Sequence, residues 1–326
     1  MTAGRVRFAP SPTGSLHVGN ALSAVANRRA GDWMLLRIDD TDAARNVEGG
    51  EEAILRDLEW LGVEWDEGPV RQSERVERYR EAAAELGERF DGVTLVREDG
   101  RPTYHLASVV DDVDFGITHV IRGNDHRPNE ALHRRLAKAL GATPPQYVHH
   151  GLILGEDGKK LSKRAEGATV ASLREAGIPA EAVRAYLEEL DLPAHDVHYD
   201  LPRIRRLAID AIGSLSDEEL AARVGVPTSV APALRGARDL NEARDYAASI
   251  LGTPPPPADV QPETLLRFRE LVHLEPKALV RELKAVGGDL RALRLVLTGR
   301  ERGPELWAVL AALPRDEQLR RVDAAL

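Results

Sequence analysis

The chain has 326 residues, 43% of them hydrophobic and 30% charged, which describes an ordinary globular protein of about two domains. It contains no cysteine, which excludes disulfides, thiol catalysis and thiolate zinc sites and fits a cytoplasmic location. A net charge of −9 argues against nucleic acid as a partner of the whole surface, yet "RIRR" at Arg203–Arg206, "LRALRLVLTGRERG" at Leu290–Gly303 and "LRRV" at Leu319–Val322 could form local basic patches. No apolar run approaches the roughly 20 residues of a membrane span, and the N-terminus lacks a signal-peptide hydrophobic region, so no membrane association is expected.

In chain order, "RVRFA" reads as a strand, "PSPTGS" as a loop and "LHVGNALSAVANRRAG" as a helix stopped at Gly31. "WMLLRIDD" is a continuous apolar run of the kind found in buried parallel strands. "GGEEAILRDLEWLGV" and "SERVERYREAAAELGERF" place apolar residues at helical spacing. After "VTLVRED" and "GRPTYHLASVVDD", a strand at "ITHVIRGND", a helix from about Pro128 to Gly141 and a strand at "YVHHGLIL" continue the alternation. Strands alternating with helices predict an α/β fold with a doubly wound parallel sheet, its ligand at the carboxyl ends of the strands. From about Thr169 the strand signals vanish. "TVASLREAGIPAEAVRAYLEEL", "LSDEELAARV", "PETLLRFRELV" and "PKALVRELKAVG" all read as helical. "TPPPPADVQP", Thr253–Pro262, reads as an extended connector within an all-α C-terminal domain. The boundary falls near residues 193–202, giving domains 1–195 and 196–326.

Two segments carry chemistry. In "RFAPSPTGSLHVGN", His17 and Asn20 stand three apart in a first helical turn and project to one side. Gly19 lets a flat ring approach the backbone, and the helix N-terminus offers free N–H groups to a phosphate. The second segment, "GKKLSKRAEG", holds Lys159, Lys160, Ser162, Lys163 and Arg164 on a glycine-flanked loop. Lysines there can follow charge developing on a triphosphate as its α–β bond breaks. No Walker-type loop or "GxGxxG" is present, which disfavours P-loop and dinucleotide readings.

"RFAPSPTGSLHVGN", "LRIDDTD", "EWLGVEWDEGP", "QSERVERYRE", "RPTYHLASVVDD", "VIRGND" and "KLSKR" together resemble the ordered signature blocks of the glutamyl-tRNA synthetases, class I aminoacyl-tRNA synthetases. The resemblance covers about residues 5–190. It returns in "LRLVLTGRERGPELWAVLAALPRDEQLRRVDAAL", which is similar to the end of that family's anticodon-binding domain.

The resemblance implies roles residue by residue. His17, Gly19 and Asn20 fall on the ATP-binding histidine motif, and Lys160, Ser162 and Lys163 on the lysine loop, with Lys163 as the main phosphate clamp. His17, Asn20, Lys160 and Lys163 form the implied catalytic set. Arg7, Ala9 and Ser11 open the glutamate pocket, Asp39 receives the α-amino group, and Tyr104 and Arg122 complete the pocket. An arginine facing the substrate's side-chain carboxylate contributes about 1.5–3 kcal/mol. The implied reaction needs ATP with Mg2+, forms glutamyl-adenylate, and transfers glutamate to the 3′ end of tRNA(Glu) once tRNA is bound. No metal site in the protein, and no zinc, is expected. tRNA(Gln) is a further candidate acceptor, and the family expectation is a monomer.

The chain also departs from the family. Only residues 70–100 separate "WDEGP" from "RPTYHLA", where the family carries a much longer acceptor-binding insertion. The stem-contact region near 192–216 is compressed, Asn124 replaces the usual acidic residue after "VIRG", and Ser108 stands where asparagine is common. Two other readings stay open: a glutamyl-queuosine tRNA(Asp) synthetase, and a non-catalytic tRNA-binding paralogue. The synthetase reading requires His17 and Lys163 to share one cleft.

Overall fold

The computed structural model describes residues 4–254, 260 and 262–326. Most of the expected proline-rich connector, residues 255–259 and 261, lies outside the described residues. The chain divides into two compact units, Met1–Glu175 with Val183–Leu201, and Ala176–Ala182 with Pro202–Leu326.

The first unit opens with β1 (Arg5–Phe8), α1 (Val18–Ala30), β2 (Trp33–Ile38), α2 (Gly50–Trp60) and β3 (Glu67–Arg71), whose strands pair in parallel in the order β1-β2-β3. Met34, Leu35, Leu36 and Ile38 of β2 are all fully buried, as a central parallel strand covered on both faces requires. At the end of α1, Arg28 and Arg29 suit the negative end of the helix dipole. Gly31 then lets the backbone pass β1, because a Cβ there would sit 2.5 Å from Val6 Cγ2.

A 3-10 turn at Gln72–Arg75 leads into α3 (Val76–Leu86) and a short antiparallel hairpin of β4 (Arg89–Phe90) and β5 (Val93–Thr94). Its turn residues Asp91 and Gly92 have φ of 49° and 78°, the Asp-Gly pairing that tight hairpins favour. The 3-10 turn, α3 and this hairpin are what occupy the short span 70–100. α4 (Tyr104–Asp114), β6 (His119–Gly123), α5 (Glu130–Ala139) and β7 (Gln146–His150) follow, with β6 and β7 parallel. That pair lies on the free side of β1: Thr118 N–H donates to Arg5 O at 2.9 Å, and Arg7 donates to Ile121 O at 3.5 Å. The succession β3-β2-β1-β6-β7 reverses its winding at the β1/β6 seam, so the doubly wound fold has its ligand crevice there.

The rest of the unit is β8 (Ile153–Leu154), α6 (Val170–Glu175), most of α7 (Ala180–Leu190) and β9 (Val197–His198), which pairs with β8 in parallel. Four local expectations change. The helical reading of "SERVERYREAAAELGERF" holds only to Leu86, where Gly87 adopts φ 86°, and Arg89–Phe90 are strand. "YVHHGLIL" is two strands, because Gly151 passes so close to His195 that a Cβ would meet its carbonyl at 1.9 Å. The pattern over 169–190 is two helices, broken where Gly177 adopts φ 79° and Pro179 follows. β9 is a strand beyond Thr169, too short to leave a periodic signal.

The second unit is helical: α8 (Leu201–Ser214), α9 (Asp217–Val224), α10 (Ala231–Leu234), α11 (Leu240–Leu251), α12 (Pro262–Leu271), α13 (Pro276–Ala285), α14 (Leu290–Thr298), α15 (Leu306–Ala312) and α16 (Arg315–Asp323). The helix starts are chemically explicit. Ser216 and Glu219 form a reciprocal capping box, and Asp239 and Asp289 cap α11 and α14. Their apolar faces meet around Phe268, Leu265, Leu283, Leu293 and Leu297. No described helix is long and apolar enough to cross a membrane.

Candidate active site

The seam between β1 and β6 opens into a cleft of about 740 Å3 lined by His17, Asn20, Arg122, Lys160 and Lys163 among others. Chain geometry explains why residues so far apart in sequence meet. The segment after the lysine loop pairs with the segment before α1: Val18 N–H donates to Ala168 O and Val170 N–H to Leu16 O, both at 2.9 Å. Beneath this pairing Asp57, fully buried, accepts from Ser15 Oγ at 2.6 Å, Leu16 N–H at 2.8 Å and Arg174 at 3.1 Å. Ser15 Oγ in turn accepts from Ala171 N–H at 3.0 Å. One buried carboxylate thus ties the start of α1 to α6.

His17 caps α1, its Nδ1 accepting the Gly19 N–H at 3.1 Å. That contact places the ring proton on Nε2, which is buried and has no hydrogen-bond partner among the described residues. Burial, then the nearby charges of Lys160 and Lys163, push the imidazole pKa down to about 4 against a smaller opposing effect of the Leu161 backbone. His17 is therefore a neutral ring offering one N–H. A Cβ at Gly19 would meet only His17 Nδ1, at 3.4 Å, so the first turn is open at that point. Asn20, exposed, lines the same cleft.

The lysine loop follows a hairpin-like pairing in which Gly155 N–H donates to Lys159 O and Leu161 N–H to Ile153 O. Lys160 Nζ reaches Asp125 at 2.6 Å, and Lys163 Nζ donates to the carbonyl and the hydroxyl of Thr13, both at 3.0 Å. Burial, and Arg45 beside it, lower the pKa of Lys163. Ser162 Oγ instead accepts from Arg164 N–H at 3.2 Å, and Ser162 lies outside the cleft lining.

At the other end are Arg7, Ala9, Ser11, Asp39, Tyr104 and Arg122. The two arginines differ in kind. Arg7 is paired with Asp112 at 3.3 Å, and Asp112 also holds buried Arg37 at 3.1 Å. Arg37 clamps Asp39 through two contacts of 2.7 and 3.2 Å. Burial, partly offset by Arg37, raises the Asp39 pKa. Ser108, the residue departing from the family pattern, accepts from Arg37 through Oγ at 3.4 Å. Arg122, 6% exposed, has no carboxylate partner among the described residues. It donates to Tyr104 Oη at 3.2 Å and His149 Nε2 at 3.3 Å, and its Nη2 is buried without a partner among the described residues. Burial lowers its pKa. An uncompensated buried guanidinium beside an open cleft is a receiver for an anion.

Sequence reasoning missed Thr13, Asp125 and His149, whose signal is spatial. Asp125 follows Asn124 in a 3-10 turn, and only the fold brings it to Lys160. Among the described residues no three His, Asp or Glu side chains are grouped to hold a metal ion. In the helical unit, a smaller hollow of about 270 Å3 lined by Leu279, Leu310 and Gln318 contains none of the expected residues. Of the arginines there, Arg291 pairs with Glu301, whereas Arg294 Nη1 is buried without a partner among the described residues.

Residues 4–90 and 86–199 match the family described as tRNA synthetases class I (E and Q), catalytic domain. Over 98% of its length the chain is 33% identical to a glutamate–tRNA ligase 1 of Rubrobacter xylanophilus, covering 97% of that protein. It is 32% identical to a glutamate–tRNA ligase of Akkermansia muciniphila, covering 99% of each chain. The Rubrobacter alignment runs over 420 positions against 326 residues here, so that relative carries segments this chain lacks. In fold, the chain is similar to a glutamate tRNA ligase structure from Elizabethkingia meningosepticum, with TM-score 0.77, 23% identity and 99% of each chain covered. This protein belongs to the class I tRNA synthetases of the E and Q group.

Proposed function

We propose that the protein is a glutamate–tRNA ligase, activating glutamate with ATP and transferring it to the 3′ end of tRNA(Glu). One observation carries the reading: Arg122, a buried arginine without a carboxylate partner among the described residues, shares a cleft with a neutral donor, His17 Nε2, and two lysines. Nearly full-length relatives bearing that enzyme's name support it.

In this reading the γ-carboxylate of glutamate meets Arg122 Nη2, with Tyr104 and Arg7 beside it. The α-amino group faces Asp39, and the backbone at Ala9 and Ser11 walls the pocket. ATP enters as its magnesium complex, the ion screening charge on the phosphates. Its adenine stacks over Gly19, Asn20 contacts the nucleotide, and His17 Nε2–H donates to the triphosphate. The α-carboxylate attacks the α-phosphorus, the α–β bond breaks, and pyrophosphate leaves with the bond's electron pair. Lys163 exchanges Thr13, and Lys160 exchanges Asp125, for phosphate oxygens as that charge develops; Ser162 supports the loop. No step uses a protein nucleophile, so positioning and charge stabilisation supply the rate. The terminal ribose hydroxyl of tRNA then takes the glutamyl group and releases AMP.

The test is charging of total tRNA with labelled glutamate and Mg-ATP, followed by identification of the acylated species. Acylated tRNA(Glu) is expected, and tRNA(Gln) is scored in the same experiment. Label on tRNA(Asp) alone would replace the reading with the queuosine-directed reaction, and no label on any tRNA would refute it.

A further inference from the structure

We propose that His149 is a positioning and specificity residue: as a neutral acceptor it aims Arg122 without cancelling its charge, and so sets the preference for an acidic over a neutral side chain. The inference rests on Arg122 receiving the substrate carboxylate.

The backbone makes the contact. β6 and β7 pair in parallel with Arg122 opposite His149, and Arg122 Nε donates to His149 Nε2 at 3.3 Å. An Nε2 that accepts must be unprotonated, so the ring proton belongs on Nδ1. Nδ1 lies 3.5 Å from Glu130 Oε2, while the other Glu130 oxygen accepts from Arg134 at 2.8 Å. Tyr147 stacks on the His149 ring with planes 10° apart and also lies 5.1 Å below the Arg122 guanidinium. The His149 side chain is 2% exposed, so water does not substitute for these partners.

The chemistry of the acceptor is the point. Arg7 and Arg37, the other buried arginines of the cleft, are both satisfied by carboxylates. Each such pair is locally neutral and attracts a further anion weakly. Arg122 is satisfied by an imidazole and a phenol, which leaves both its charge and its third nitrogen to the ligand. Burial and the adjacent Arg122 push the His149 pKa down to about 4, so the ring stays a neutral acceptor at neutral pH.

The test uses two variants of equal shape and different charge, His149→Gln and His149→Glu, in charging assays with tRNA(Glu). H149Q keeps a neutral acceptor and should change the KM for glutamate by less than about threefold. H149E supplies a carboxylate to Arg122 and should raise that KM by about tenfold or more. It should also improve glutamine relative to glutamate by a similar factor, with kcat and the KM for ATP nearly unchanged. A merely structural role would lower kcat in both variants alike. Equal glutamate preference in H149E and H149Q would overturn the inference while leaving the ligase reading intact; a wild-type protein that charges no glutamate would overturn that reading first. Should H149E fail to fold, nitrogen-15 NMR of histidine in the wild-type protein decides: a His149 ring protonated on Nδ1 alone at pH 7 is expected, and a proton on Nε2 refutes the proposal.

Discussion

His17→Asn separates catalysis from folding at a single position. The native imidazole does two things: Nδ1 caps α1 at Gly19, and Nε2–H sits buried without a partner among the described residues. Asparagine is among the best N-caps, so the capping contribution of about 1 kcal/mol is retained. Removing the orphan N–H relieves an unsatisfied donor that costs about 1–3 kcal/mol. H17N should therefore be as stable as the wild type or slightly more so in chemical denaturation. Its shorter side chain cannot reach the triphosphate. Losing one such donor at a transition state costs about 2.7–4 kcal/mol, or about 100- to 1,000-fold in kcat. Tested by glutamate-dependent ATP–pyrophosphate exchange with tRNA present, the KM for glutamate should hardly move, because Arg122 is untouched. A rate within about threefold of the wild type would refute the role given to His17. So would a rate loss matched by loss of folded protein.

Lys163→Ala should lower the exchange rate far more than glutamate affinity, since Lys163 now spends its ammonium on Thr13 rather than on the amino-acid pocket; an unchanged rate would mean the loop does not follow the phosphates. Asp57→Ala breaks the buried tie between the start of α1 and α6, and its denaturation free energy should fall by about 1–3 kcal/mol, the usual cost of leaving a buried donor such as the Leu16 N–H unmatched, because the half-exposed Arg174 can turn to water. The histidines held neutral by burial predict acid sensitivity. With pKa values near 4 for His17 and His149, the unfolded chain takes up their protons first, near pH 6.5. Their contribution is complete above that pH and declines towards pH 4, at up to about 1.4 kcal/mol per pH unit for each group. Denaturation curves across pH 4–7 check this, and H149Q should flatten the slope by one group's share.

Much of the fold is legible because its signals are local. The unbroken apolar run of β2 marks a strand buried on both faces, and the proline and glycine before His17 mark where β1 hands over to α1. The β4–β5 hairpin escapes that reading: the helical spacing of "SERVERYREAAAELGERF" carries the expected helix through Arg89–Phe90, up to the Asp-Gly turn, although Gly87 in fact ends it. What could not be read is which buried charges are paired. Arg7 and Arg122 look alike as letters, and only the packing of α4 against β1 gives Asp112 to the first and withholds it from the second. The Arg122–His149 contact depends on parallel register between strands more than twenty residues apart, which no local pattern encodes. The same holds for the Thr13 and Asp125 contacts of the lysine loop.

The most direct measurement is ATP–pyrophosphate exchange by the wild-type protein with glutamate and tRNA(Glu) added singly and together. Exchange that requires glutamate, and appears once tRNA is bound, is the predicted result. Absence of exchange with every component present would contradict the assignment of this cleft to amino-acid activation.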